Sequence, residues 1–109
     1  MDTSKRLRFS EPLPELILSG KKTVTWRIGD EKNIRQGDIL SLCDTSGKEF
    51  AQADVVAIKE TWFGKLTPED KNGHEPFASE KEMYDTYAGY YQQTVEPETV
   101  VKVIRFRLR

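Results

Sequence analysis

The sequence predicts an α+β fold: a small mixed or antiparallel β-barrel with two or three helices packed outside it. Three observations predict it. Elements follow one another as strand, helix, several strands, helices and a final strand. Parallel βαβ repetition is absent, which argues against an open parallel sheet. The length of 109 residues suits one compact domain over residues 1–109 and leaves no room for two.

Leu7 to Phe9 reads as a short strand. Ser10 follows as a candidate N-cap, with Pro12 in the first turn and Glu11 and Glu15 at the positive helix end. Leu13, Leu16 and Ile17 recur at helical spacing, and Gly20 stops the helix. Thr23 to Ile28 is β-branched and aromatic, hence a strand, and Gly29, Asp30 and Asn33 make a loop. Gln36-Gly37-Asp38 turns the chain into the strand Ile39 to Cys43. A hairpin turn at Thr45 to Lys48 returns it as a long strand, Phe50 to Thr61.

The middle of the chain reads as helical. Thr67 caps a short helix opened by Pro68, Glu69 and Asp70 and stopped by Gly73. Ser79 to Glu82 has the form of a capping box, opening a helix to about Tyr91. Met83, Tyr87 and either Tyr90 or Tyr91 form its inner face, read as core packing rather than as a base-stacking platform. Thr99 to Leu108 closes the chain as a strand. Val100, Ile104, Phe106 and Leu108 form its drier face; Val101, Val103, Arg105 and Arg107 form the wetter one.

Composition excludes several classes. The hydrophobic fraction is 37% and the charged fraction 32%, against usual values of roughly 45–50% and a quarter. Both suit a small domain with much surface, and neither reaches the corner where chains stay disordered. A net charge of −1 argues against a protein that coats nucleic acid, though not against one concentrated basic site. The lone Cys43, in a strand-like run, reads as a small buried apolar residue. With His74 as the only histidine, no zinc set is expected. Lys5, Arg6 and Arg8 interrupt the N-terminus before an apolar run forms, so no signal peptide is expected. No stretch approaches the roughly 18 apolar residues of a membrane span. A cytoplasmic location is the expectation.

Gly20 to Arg27, reading GKKTVTWR, is the segment that could carry chemistry. In a strand, residues i and i+2 share a face. Thr23, Thr25 and Arg27 then face a cleft or solvent, and Val24 and Trp26 face the core. Lys22 meets Thr25 only if it lies in the turn that Gly20 permits. A lysine crowded by Lys21 and Arg27, and partly buried, has its ammonium destabilised and can act as a general base. A threonine hydroxyl beside it can be a nucleophile. Arg27 offers a fork of donors for a phosphate, carboxylate or developing oxyanion. The competing reading is a solvated basic edge strand, with threonines present for β propensity.

The run ILSGKKTVTWR, followed by RQGDIL, resembles the signature of the ASCH domain family, G-x-K-x-x-[hydroxyl or acid]-x-R with a later G-D turn. Gly20, Lys22, Thr25 and Arg27 match the motif, and Gly37-Asp38 matches the turn. The resemblance implies a PUA-like β-barrel with a cleft facing RNA or a nucleoside. Members are linked to RNA modification or translation. One bacterial branch hydrolyses N4-acetylcytidine to cytidine and acetate, and Thr25, where many relatives carry Glu, tilts this chain toward it. That branch implies catalytic roles for Lys22, Thr25 and a glutamate of the central region, matched here by Glu75 in NGHEPF. Glu80 and Glu82 are nearby competitors with a capping role. The implied chemistry is acyl transfer: neutral Lys22 takes the Thr25 proton, Thr25 attacks the acetyl carbonyl, and protonated Glu75 gives its proton to departing N4. Lys22 could instead activate a water.

Lys21, Thr23, Arg27, His74 and Trp62 are the candidate substrate contacts. Trp62 could stack on a base. Arg105, Arg107 and Arg109, with Lys5, Arg6 and Arg8, read either as solvated edge charges or as an RNA-backbone track. The expected partner is a nucleoside or RNA, with no cofactor, metal or membrane, and a monomer is the default. The alternative function is a non-catalytic RNA-binding module. It would want Lys22 exposed in a basic strip, whereas an enzyme would want it buried near Thr25 and Glu75.

Overall fold

The computed structural model describes residues 4–109. Five strands form one mixed sheet in the order β1-β3-β4-β5-β2. β1 (Lys5–Arg8) runs parallel to β3 (Ile39–Cys43), and the other neighbours are antiparallel. The Asp44 carboxylate organises the hairpin between β3 and β4 (Glu49–Trp62), accepting the N–H groups of Ser46 and Lys48. β4 reaches far enough to pair with β3 early and with β5 (Val100–Leu108) along most of its length. A register shift between Val55 and Ala57 bends it.

The sheet is a half-barrel. Its edge strands, β1 and β2 (Val24–Arg27), are not paired with each other. The Arg27 guanidinium bridges this seam, donating to the Arg8 carbonyl at 3.2 Å and lying over the Phe9 ring at 5.0 Å. Helix α1 (Leu13–Leu18) places Ile17 on one face of the sheet, with Leu7, Leu40, Leu42, Ile104 and Phe106. Helix α3 (Glu80–Tyr91) places Met83 and Tyr87 on the other, with Val24, Trp26, Val101 and Val103. α2 (Pro68–Lys71) sits between them in sequence. Among the described residues no helix is long and apolar enough to cross a membrane.

Several local expectations change. Ser10 does not cap α1 with its side chain; its carbonyl accepts the Leu13 N–H in a preceding turn, and Pro14 occupies the first helical turn. Ser79 accepts the Glu82 N–H as a cap should, but Glu82 reaches back to the Ala78 N–H, one residue earlier than a capping box requires. Tyr91, not Tyr90, packs with the inner face of α3; Tyr90 is exposed. Val101 and Val103 are buried although they share a face with Arg105, because α3 covers that half of β5. Cys43 is buried and free, as read from its neighbours.

Candidate active site

The end of α1 positions Lys22. Gly20 takes φ +82°, the left-handed conformation that glycine adopts without steric cost. Its N–H donates to the Ile17 carbonyl at 3.1 Å, and the Lys21 N–H donates to the Leu16 carbonyl at 2.9 Å. That pair of bonds is a Schellman motif. The Lys22 N–H also donates to Leu16, so the turn extends one residue further and points Lys22 inward before β2 begins.

The loop after α2 brings its partner. Thr67 and Asp70 close a complete capping box, and Asp70 also accepts from Lys59 on β4. Arg105 on β5 donates to the carbonyls of Glu69 and Asn72, fixing the end of the helix. Gly73 then accepts the Thr23 N–H at 2.8 Å, which docks the loop on the start of β2. Glu75 follows two residues later. Its Oε1 accepts from Lys22 Nζ at 2.5 Å, with the Lys22 side chain 2% exposed.

Burial pulls the Lys22 ammonium below its ordinary value; the Glu75 carboxylate opposes this, and the Arg27 charge adds to it. Burial alone would push the Glu75 carboxyl up, but Lys22 and His74 beside it reverse that and hold it below the usual range. Glu75 is therefore ionised at neutral pH, not protonated as the acid role expected from the sequence requires. His74 is stacked on Trp26, with ring centroids 3.7 Å apart and planes 17° apart. Burial, with Lys22 nearby, lowers its pKa to about 4, so the ring is neutral.

A cavity of about 260 Å³ opens at the seam between the two sheet edges. Lys22, Thr25, Arg27 and Glu75 all line it, so the structure gathers these four expected residues into one space. Thr25 is buried, and its hydroxyl makes no hydrogen bond to a described residue. Arg27 Nε is buried and likewise without a partner. Trp26 also lines the cavity, although its spacing assigned it to the core; it serves both.

Other expected contacts lie elsewhere. Lys21 and Thr23 are exposed and do not line the cavity; Thr23 packs against Gly73. Trp62 is exposed, with Lys65 Nζ 4.7 Å from its ring centroid. His74 lies behind the wall, holding Glu75 and Tyr87. The arginine track is interrupted because Arg105 holds α2 and Arg109 faces Asp54. Sequence reasoning missed Phe9, Ser10, Leu13 and Thr45, which carry no local signal, as cavity residues. It saw the tyrosines of α3 but assigned them to packing; Tyr87, Tyr90 and Tyr91 line the cavity too. Among the described residues, no three His, Cys, Asp or Glu side chains cluster to hold a metal ion.

No protein-family model matches this sequence, and no curated protein matches it. Solved structures do. An ASCH domain from Lactobacillus crispatus superposes with a TM-score of 0.67 at 11% identity, covering 87% of this chain and 69% of that one. A single-substitution variant of an ASCH protein from Zymomonas mobilis gives 0.64 at 21% identity, covering 97% and 70%. A protein from Pyrococcus furiosus gives 0.65 at 24% identity, covering 95% and 97%. In the path of its chain and the arrangement of its sheet and helices, this protein has the fold of those ASCH domains.

Proposed function

We propose that the protein hydrolyses the acetyl amide of N4-acetylcytidine or a related N-acylated nucleoside. The observation that carries this is the Lys22–Glu75 pair, buried at a cavity that Thr25 also lines. A volume of about 260 Å³ lies just under the roughly 300–1,000 Å³ of small-molecule sites, which suits one base and its acyl group.

The hydrogen bond between Lys22 and Glu75 supplies both catalytic states. Moving one proton along it converts ammonium and carboxylate into amine and carboxylic acid. A bound base excludes water, which disfavours the charged form and drives that shift. Neutral Lys22 then takes the Thr25 proton as Thr25 Oγ1 attacks the acetyl carbon. Glu75 gives its proton to N4 as the C–N bond breaks, releasing cytidine. Water, losing a proton to the Glu75 carboxylate, cleaves the acetyl-threonine ester and releases acetate, and Thr25 recovers its proton from Lys22. The unpartnered Arg27 Nε–H is the donor for the oxyanion.

A non-catalytic RNA-binding module would need Lys22 exposed in a continuous basic strip. Its 2% exposure and the use of Arg105 in holding α2 favour the enzyme. The test is acetate release from N4-acetylcytidine. Wild-type turnover is expected, with losses of about 10²–10⁴-fold for Lys22→Met and Glu75→Gln and a comparable loss for the near-isosteric Thr25→Val. Absence of wild-type turnover ends this reading.

A further inference from the structure

Two tyrosines on one wall of the cavity have hydrogen bonds that leave them opposite polarities. Tyr87 and Tyr91 are four residues apart on α3, so they share a helix face. Their rings are near-parallel, with planes 12° apart and centroids 6.4 Å apart. Both line the cavity.

Tyr87 is committed as a donor on its protein side. His74 Nδ1 lies 2.9 Å from the Glu75 carbonyl and 3.2 Å from Glu75 Oε1. The backbone carbonyl only accepts, so Nδ1 carries the proton. The ring is neutral, so Nε2 is bare. Tyr87 Oη, 2.8 Å from Nε2, must therefore donate its proton there. Only lone pairs remain for anything else that meets that oxygen. Tyr91 has the reverse commitment. Its oxygen accepts the Ile28 N–H at 3.1 Å. Among the described residues nothing accepts its own proton.

We propose that Tyr87 and Tyr91 read the ligand together, Tyr87 as a fixed acceptor and Tyr91 as a donor. The ligand they select is a nucleobase edge with an N–H beside a bare ring nitrogen, as N4–H lies beside N3 in an N4-monosubstituted cytidine. This rests on the reading of the cavity as a nucleobase site. A site with fixed polarity discriminates because the wrong ligand leaves its groups buried and unpaired. His74 is here a positioning residue: it acts on the ligand only through the Tyr87 proton.

The test measures binding by calorimetry, independent of hydrolysis. N4-methylcytidine keeps the N4–H, and N4,N4-dimethylcytidine lacks it. Wild type is expected to prefer the first by about tenfold, and Tyr87→Phe by about twofold or less. In parallel, cytidine is expected to outbind 3-deazacytidine in wild type, and Tyr91→Phe to erase that preference. This second variant keeps the proposal open to refutation if Tyr87→Phe does not fold. Hydrolysis of N4-acetylcytidine with both preferences untouched by the substitutions overturns the tyrosine pair alone. Preferences that behave as expected without any hydrolysis support the pair and overturn only the hydrolase.

Discussion

His74 shows how a single side chain serves the site from outside it. Its ring is held between Trp26, the Glu75 backbone and the Tyr87 hydroxyl, and burial, with the Lys22 charge nearby, keeps it neutral. The folded ring has a pKa of about 4 against 6.5 for a free one. Between those values the unfolded chain binds a proton that the folded chain refuses. The stability linked to His74 is therefore complete above about pH 6.5 and falls as pH drops toward 4, by up to about 3 kcal/mol. Urea unfolding across that window should show the fall, and His74→Gln should flatten it. An equal slope in the variant contradicts the assignment. The importance of His74 was hinted at by its place beside Glu75. Its role could not be read, because Trp26 and Tyr87 lie 48 and 13 positions away in the chain.

At the scale of elements, the loop from α2 to α3 sets the site, and its critical contact is Gly73 on Thr23. Gly73 has φ +87°, and a Cβ there would sit 2.1 Å from Thr23 Oγ1. Gly73→Ala is expected to cost about 1–3 kcal/mol from the backbone conformation, with the clash in addition. Adding Thr23→Ala should recover the clash and leave the backbone cost, a coupling that a double-mutant cycle on thermal unfolding would read. Additive losses would show that the two residues do not press on each other. The glycine was legible as a helix stop, as were Thr67 as a cap and Gly20 as the end of α1. Each of those signals is local, since it depends on backbone conformation within a few residues. That the Gly73 loop docks on β2 was not legible, because the Thr23–Gly73 hydrogen bond joins residues fifty apart.

For the whole molecule, the half-barrel makes β5 the element that both cores share. Ile104 is fully buried on the α1 side, while Val101 and Val103 are buried on the α3 side. Ile104→Ala should cost about 2–5 kcal/mol in chemical denaturation. Val100→Ala, on a residue 53% exposed, should change stability by about 0.5 kcal/mol or less. Equal effects would place the core elsewhere. The open seam has a functional consequence. Were β1 and β2 hydrogen-bonded to each other, their backbones would fill the space that the cavity occupies. Leaving them unpaired, with Arg27 bridging the gap, creates a space lined by both edges and by α3.

Much of this was written in the sequence. The order of strands and helices, the turns at Gly37 and Gly47, and the placement of Lys22 in a turn after Gly20 follow from residue pattern and glycine conformation, which act over a few residues. The resemblance of GKKTVTWR to a family signature added Glu75 as a candidate. Only the tertiary structure decided the rest. It put Glu75 against Lys22 and so ionised the carboxyl that had been expected to carry a proton. It removed Lys21, Thr23 and Trp62 from the cavity and added the tyrosines of α3. Burial and charge pairing between distant residues set those outcomes, and no local pattern encodes which distant groups will meet.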